Sequence, residues 1–515
     1  MKKCGGVPLA LNALGSLVCS KRTKSEWLIV KDSQIWNLPK SENSILPALM
    51  LSYHHLSPHL RQCFAYCCVF PKDFELRMDK LIQLWMANGF IPSKGPSELY
   101  DFGVDIFNEL VRRSFFQDVK EEYPGCITCK MHDLMHDLAQ SIMRHECVAV
   151  ESGKDVKVEG RIFHMFFGMI SSQDISLNED LHKVRSLRSC IDAFDCTASL
   201  PFFFKQKYLR VLNFKFVVEE VPRSINNLKH LRYLDMSGSN IKVLPESTTC
   251  LLNLQTLKLD YCHSLCKLPK GMKHMKNLMY LGITECFSLT RMPEGMGQLT
   301  CLQSLSFFIA GKKNGYQVSE LKGLNLRNNL TIKELDNVKN SEEAKSANLI
   351  GKQNLHSLSL IWRSDNKSHV LDHVDDVLDG LQPHSNLKKL SIYNYHGSKI
   401  PTWIQDSVLC DLVEISLDCW ERCEHLPPLG KLPFLKVLEI TGWHAVKYIG
   451  NEFHGDGAIS FPSLKEFRLH KMRDLEEWRT MNGRENFPCL STLEITECPK
   501  LVEIPIIPSI TDLTV

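Results

Sequence analysis

Residues 209–305 read Leu209-x-x-Leu212-x-Phe214, Leu231-x-x-Leu234-x-Met236, Leu254-x-x-Leu257-x-Leu259, Leu278-x-x-Leu281-x-Ile283 and Leu302-x-x-Leu305-x-Phe307. From first leucine to first leucine the steps are 22, 23, 24 and 24 residues. Each copy has room for one short strand and a return segment. No single coil can bury its apolar face, so the coils must stack and share one long core. The registered copies predict a solenoid, an architecture suited to binding.

A period of about 20 to 29 residues is the range of leucine-rich repeats. Beyond Leu302 the pattern loosens, with a polar insertion around Ser341 to Lys352. It recovers at Leu355, Leu387, Leu412, Leu435, Leu464 and Leu490, each with the same apolar continuation. Ile510-x-x-Leu513-x-Val515 reads as one more strand without a shielding segment, so the array is expected to stop short at its C-terminus.

The 515 residues exceed what one compact core needs and leave room for further domains. Lys plus Arg number 61 against 59 Asp plus Glu, a net charge of +2. That balance predicts no bulk attraction to nucleic acid or to an anionic membrane. Twenty cysteines do not make this a disulfide scaffold, a device of short secreted chains. Cys262, Cys286 and Cys498 each stand eight residues after the first leucine of a coil, the Asn/Cys position of the repeat. A reducing, cytoplasmic location is expected. Met1-Lys2-Lys3 before an apolar run imitates a signal peptide, but Pro8, Asn12, Gly5, Gly6 and Gly15 interrupt it and no cleavage site follows. No apolar run reaches the length of a membrane span.

Ahead of the repeats the spacing turns helical. Helices are expected over residues 4–19, in two pieces between Leu46 and Phe70 broken at Ser57-Pro58, over Met78 to Gly89, and over Glu98 to Arg113. Phe115 to Val119 and Cys126 to Met131 suit a hairpin, and Asp133 can cap a last helix running to about His145. Residues 31–45 around Asn37-Leu-Pro39 and residues 92–96 read as loops. Three helices, a hairpin and a helix predict a winged-helix domain. The expected layout is 1–45, the end of a helical subdomain; 46–150, winged helix; 151–180, a joining segment; and 181–515, the repeats. The fold class is α+β multidomain, a small helical region followed by an α/β solenoid.

Three motifs carry a family resemblance over essentially the whole chain. Cys4-Gly-Gly-Val-Pro-Leu-Ala10 is similar to the GLPLA motif of plant nucleotide-binding (NB-ARC) leucine-rich-repeat disease resistance proteins. Cys63-Phe-Ala-Tyr-Cys-Cys-Val-Phe-Pro71, running into Leu81-Ile-Gln-Leu-Trp-Met-Ala-Asn-Gly-Phe-Ile91, resembles the motif of the coiled-coil, non-Toll-like branch. Met131-His132-Asp133 matches the family's MHD motif in residue type. The resemblance implies an intracellular receptor in plant defence, whose repeats sense a pathogen effector or an altered host protein and restrain an ADP/ATP-dependent switch. It further implies that His132 contacts the β-phosphate of ADP and that Pro8 packs near the adenine. The chain departs from the family in lacking G-x-x-x-x-G-K-[ST]: Gly153-Lys154, Gly311-Lys312, Gly351-Lys352 and Gly430-Lys431 lack both the earlier glycine and the following Ser or Thr. Without that loop no row of backbone N–H groups cradles the phosphates, so this fragment, expected to begin partway through the nucleotide-binding module, is not expected to hold ADP or ATP alone. The upstream receptor domains are then expected partners of a full-length form.

Each candidate site has a plainer reading beside it. His132, before the helix opened by Asp133, stands where a phosphate is favoured, yet it could merely pack between hairpin and helix. Pro8 could simply start a helix. Cys126-x-x-Cys129-x-x-His132-x-x-x-His136 crowds its four ligand types into eleven residues, unlike the separated pairs of a zinc finger, and no metal is expected. Asp372, Asp375, Asp376 and Asp379-Gly380 lack the alternation and closing glutamate of a calcium loop. Asn329-Leu-Thr331 and Asn366-Lys-Ser368 are glycosylation sequons without meaning in the cytosol. Nucleic-acid binding is opposed by the largely apolar Met78 to Gly89 helix. The expected partner surface is the outward face of the strands: Tyr233 and Asp235, Thr256 and Lys258, Lys389 and Ser391, Glu466 and Arg468. Trp362, Trp403, Trp420, Trp443 and Trp478 fall in the later coils, either as exposed anchors or as fillers of wider coils. No Ser/His/Asp or Cys/His arrangement follows from spacing, so no catalysis is expected. The alternatives kept open are a nucleotide hydrolase and a degenerate repeat scaffold that binds partners without switching.

Overall fold

The computed structural model describes residues 4, 6–37, 47–92, 95, 98–123, 125–150, 161–168, 184–194, 200–215, 219–364, 373–406, 408–457, 459–479 and 485–515. Most of the expected joining segment, Gly153-Lys154, Asp372, Asn366-Lys-Ser368 and most of the 31–45 and 92–96 loops' prolines and flanks lie outside them. The chain divides into two compact units, Met1–His263 and Ser264–Val515.

The first unit opens with α1 (Pro8–Cys19), started by its proline, and α2 (Lys24–Lys31). Thr23 and Glu26 cap α2 reciprocally: the Glu26 N–H donates to Thr23 Oγ1 at 3.3 Å and the Thr23 N–H to Glu26 Oε2 at 3.0 Å. Leu17, Val30 and Leu51 form the core that joins α1 and α2 to α3 (Pro47–His54). The break at Ser57-Pro58 falls as expected, Ser57 capping α4 (Pro58–Tyr66). Then follow β1 (Leu76–Arg77), α5 (Met78–Asn88), α6 (Leu99–Arg112), β2 (Gln117–Tyr123), β3 (Cys126–Lys130) and α7 (Asp133–Met143). β1 and β2 both pair antiparallel with β3, which completes a winged helix. Gly89 ends α5 at φ +78°, a left-handed cap that glycine takes without strain.

Two boundaries differ from the sequence expectation. The residue capping α7 is His132, because Asp133 already has helical geometry and a capping side chain must come from the residue before it. The repeat sheet also starts ahead of residue 181. β4 (Cys147–Val150), β5 (His164–Phe167), β6 (Ser189–Phe194), β7 (Val211–Lys215), β8 (Tyr233–Asp235) and β9 (Thr256–Lys258) pair in parallel and in chain order. Between β6 and β7, α8 (Leu200–Phe204) buries Phe203 edge-on against Phe167 and Phe214. Leu209, Leu212, Leu231, Leu234, Leu254 and Leu257 are all fully buried, so the leucine pattern is the core of this sheet. Coils return through 3-10 turns entered at Pro222 and Pro245, where a fixed φ suits the start of a turn.

The second unit continues the same plan. Its strands are β10 (Tyr280–Gly282), β11 (Ser304–Leu305), β12 (Phe307–Ile309), β13 (Asn328–Lys333), β14 (Leu355–Ile361), β15 (Lys389–Tyr393), β16 (Glu414–Asp418) and β17 (Val437–Thr441). Later come β18 (Tyr448–Ile449), β19 (Ile459–Ser460), β20 (Glu466–His470), β21 (Glu477–Trp478), β22 (Glu485–Asn486), β23 (Thr492–Thr496) and β24 (Asp512–Thr514). A nine-stranded parallel sheet runs β12, β13, β14, β15, β16, β17, β20, β23, β24. The polar insertion at 341–352 is absorbed as a short helix, Ser341–Ser346, and a turn that buries Lys352. Its ammonium donates to the Leu321 and Leu324 carbonyls, each at 2.7 Å, while burial lowers it to about 8.

Candidate functional site

β3 brings Met131 into the core, and the chain turns at His132 into α7. The Leu134 N–H donates to His132 Nδ1 at 3.2 Å. With Nδ1 accepting, the neutral ring carries its proton on Nε2, which is left to donate. A donor at a helix N-terminus is placed for an anion. Asp133 is exposed in the first turn. His136, one turn on, is buried and bonded through Nε2 to the Phe70 carbonyl at 2.8 Å. Cys126 and Cys129 are buried on β3, and burial pushes Cys129 up to about 12, which keeps it a thiol. Among the described residues no group of three or more His, Cys, Asp or Glu side chains gathers as metal ligands. Pro8 is exposed at the first position of α1.

A polar assembly lies where α5 crosses β7 and β8, on the strand face that carries Val211, Asn213, Tyr233 and Asp235. Arg188, Arg210 and Arg232 directly follow Leu187, Leu209 and Leu231, and their backbones bond coil to coil at 2.7 and 2.8 Å. Arg210 Nη1 donates to the Asn88 carbonyl at 2.5 Å, and Arg232 Nη1 lies beside Gly89. Stacked cations thus face the C-terminal, negative end of the α5 dipole. At the other end Lys80 Nζ sits 3.4 Å from the buried Asp192 carboxylate.

At the C-terminal end of α5 Ser189 is a hub. Its hydroxyl donates to Asn88 Oδ1 at 3.2 Å, accepts from Tyr66 Oη at 3.4 Å and meets His164 Nδ1 at 3.0 Å. One donor and two lone pairs are then all used, which assigns the His164 proton to Nδ1. Burial, aided by Arg188 and Arg210, pushes His164 down to about 3, so it is neutral beside the arginines.

The observed burial changes the expected partner surface. Tyr233 and Thr256 are fully buried rather than outward-facing, and the Tyr233 hydroxyl donates to Asp235 at 3.0 Å. Asp235 also accepts from Ser237 and Asn213. Lys258 is half-buried and its pKa is lowered by burial, with Asp235 and Asp260 opposing and Lys80 and Arg77 adding to the shift. In the second unit Ser391 is buried too, while Lys389 is exposed and pairs with Glu414 at 2.6 Å. Arg468 pairs with Glu466 at 2.6 Å and with Glu494 at 3.5 Å on the neighbouring strand. Exposed pairs of this kind contribute only about 0–1 kcal/mol.

The tryptophans fill space. Trp362, Trp403, Trp420, Trp443 and Trp478 are all buried. Tyr395, Trp420 and Trp443 stand eight residues after Leu387, Leu412 and Leu435, where Cys262 stands in an earlier coil. Trp420 stacks on Trp443 at 4.8 Å and 7°, and Tyr395 packs on Trp420 at 4.4 Å and on Trp362 at 5.3 Å. The acidic stretch before them is structural as well: Asp375 accepts from the Tyr395 hydroxyl at 2.6 Å and Asp379 from Thr402.

A winged helix feeding a leucine-rich-repeat array defines the class. Residues 69–139 match the family described as "Disease resistance protein Winged helix domain", and residues 318–443 match "R13L1/DRL21 LRRs". Disease resistance protein RGA2 of Solanum bulbocastanum is 43% identical over 509 residues, 97% of this chain and 50% of that protein. RGA1 of the same species is 44% identical over all of this chain and 50% of its own length. Disease resistance RPP13-like protein 4 of Arabidopsis thaliana is 27% identical over 97% of the chain. The chain belongs to these plant disease resistance proteins, and spans about half the length of the relatives it matches. A Leptospira interrogans leucine-rich-repeat structure overlays 63% of the chain and 87% of its own at 19% identity, with a TM-score of 0.39. Among the described residues no helix is long and apolar enough to cross a membrane.

Proposed function

We propose that this chain is the sensing and restraining half of an intracellular plant immune receptor. The repeats recognise a pathogen effector or a modified host protein, and the winged helix passes that event to an ADP/ATP-dependent switch upstream. The reading is carried by one observation: α5 is held by side chains of the first coils through Arg210, Ser189 and Asp192. A partner that competes for those coils has a direct mechanical route to α7 and His132, which sit on the same small domain. His132 Nε2 would donate to the β-phosphate of ADP, and Pro8 would lie near the adenine. Most of the phosphate grip would come from a nucleotide-binding module joined to this chain. The work proposed for this chain is binding and switching rather than catalysis. The cytoplasm, with its thiols kept reduced, suits the free cysteines.

The test is Asp133→Val in a receptor joining this chain to an upstream nucleotide-binding module, expressed in leaf tissue. Constitutive cell death is the expected result. Silence from a stably accumulated protein would favour a scaffold that binds partners without switching.

A further inference from the structure

Three successive coils of the first unit repeat a basic pattern just ahead of their strands: Arg185-Ser-Leu-Arg188, Lys207-Tyr-Leu-Arg210 and Lys229-His-Leu-Arg232. The next coil puts Leu252 and Gln255 at the same two positions, so the array is three coils tall. The coils are in register there. The Arg210 N–H bonds the Arg188 carbonyl at 2.7 Å and the Arg232 N–H bonds the Arg210 carbonyl at 2.8 Å. Between the two rows of cations Tyr208 stacks on His230 at 6.3 Å. Neighbouring strands stand about 4.8 Å apart, so Arg188, Arg210 and Arg232 rise over about 10 Å. These three are half-buried, while Arg185, Lys207 and Lys229 are exposed.

Little in the fold balances this charge. The negative end of α5 offers about half a charge, through the Asn88 carbonyl that Arg210 Nη1 bonds. Arg232 Nη1 would lie 3.4 Å from a Cβ placed on Gly89 and Arg210 Nη1 3.8 Å, so two guanidiniums share that end. Arg188 sits over the Phe163 ring, 4.2 Å from its centroid. The carboxylates of the same coils are engaged elsewhere: Asp192 lies against Lys80, and Asp235 accepts from Asn213, Tyr233 and Ser237. Among the described residues no ion pair joins any of the six cations to a carboxylate. Each guanidinium has five N–H donors, so most donors of the arginine row are left for a ligand.

We propose that this array binds a compact small molecule bearing several phosphate groups. Guanidinium forks match phosphate oxygens two at a time, and half-buried charges are screened less by salt than exposed ones. A ligand that gathers its charges within about 10 Å meets all three arginines. An extended acidic peptide suits them less. Its same-face side chains repeat at about 6.8 Å and fall out of step with arginines about 4.8 Å apart. The site is built wholly from the first coils. It rests neither on the immune reading nor on the nucleotide contact proposed for His132.

The test titrates the full chain with sodium tripolyphosphate by calorimetry at one fixed ionic strength. One saturable site is expected, with a higher melting temperature at saturation. Arg232→Gln should weaken binding about tenfold, the worth of one charge-assisted contact, while the exposed Lys242→Gln of the same unit binds as wild type. Absence of a saturable site overturns the proposal, and so does an equal loss in the two variants. Hydrogen exchange on α5 shows whether Arg232→Gln keeps the winged helix docked. If it does not, the exposed Lys229→Gln takes its place, with weaker binding expected and unchanged binding overturning the site. Phosphatidylcholine vesicles carrying phosphatidylinositol bisphosphate separate a lipid headgroup from a free ligand. Co-sedimentation that tripolyphosphate fails to displace overturns the small-molecule assignment.

Discussion

Gly397 shows how much a single residue can be asked to leave out. A Cβ there would overlap the Asp375 carboxylate and the ring of Tyr395, two groups already bonded to each other. The Tyr395 ring cannot retreat, because Trp362 and Trp420 hold its faces and edges. Gly397→Ala is therefore expected to destabilise the second unit by about 1–3 kcal/mol, the usual cost of overpacking a tight site. Urea denaturation should show the drop, while Gly323→Ala, with open space around it, stays near wild type. An unchanged midpoint for Gly397→Ala would mean that the aromatic row is soft. This packing was half legible in the sequence. The spacing of Cys262, Cys286 and Cys498 marks the eighth position of the coil, and Tyr395, Trp420 and Trp443 occupy it too. What spacing could not say is that large rings would fit where thiols do, because coil width depends on the return segments. At the same scale Tyr233 and Thr256 misled: alternation puts them on the open face, yet both are buried, Tyr233 on the strand that α5 crosses.

At the scale of elements, helix ends were legible wherever a cap was written into the chain. Ser57-Pro58 and Gly89 fall where α4 starts and α5 ends. Thr23-x-x-Glu26 is a capping box of the same kind, and it marks α2, which apolar periodicity alone passes over. The early strands β4, β5 and β6 were not legible, because His164 and Ser189 stand where a coil normally presents indifferent residues. Those polar residues meet the winged helix, Ser189 bonding Asn88 of α5 and His164 packing edge-on against Tyr66 of α4. The clue lay in Leu187-Arg188, Leu209-Arg210 and Leu231-Arg232, an arginine after the first leucine of three successive coils. Arg210→Glu removes the donor to the Asn88 carbonyl and sets a carboxylate against the negative end of α5. The docking should weaken by about 2–3 kcal/mol, the range for a charge-assisted hydrogen bond. Faster hydrogen exchange along α5 with α1 unaffected is the expected signature, and the exposed Lys242→Glu serves as control. Equal protection in both variants would leave α5 held by its apolar contacts alone.

At the scale of the whole molecule, two buried histidines tie each unit separately to pH. Burial, with the neighbouring arginines, lowers His164 in the first unit to about 3, and burial lowers His454 in the second to about 4. Unfolded, each would titrate near its ordinary value of about 6.5. Above that pH both states hold a neutral ring, and the stability these groups permit is fully present. Below it the unfolded chain takes up a proton that the folded chain refuses, so stability falls as pH falls, until the folded value is reached. The slope is roughly 1 kcal/mol per pH unit for each group once the unfolded ring is protonated. Carboxylates titrate mostly below about pH 5, so the interval from about pH 6.5 to about pH 5 isolates the histidines. Urea midpoints at the two ends of that interval should separate clearly for the wild type. In His164→Phe the pH-dependent loss should shrink for exchange probes on β5 to β8, and in His454→Phe for probes on β17 and β20. The two effects should add, since each repeat contacts only its neighbours and these histidines lie in different units. A pH response that survives both substitutions would place the proton uptake elsewhere.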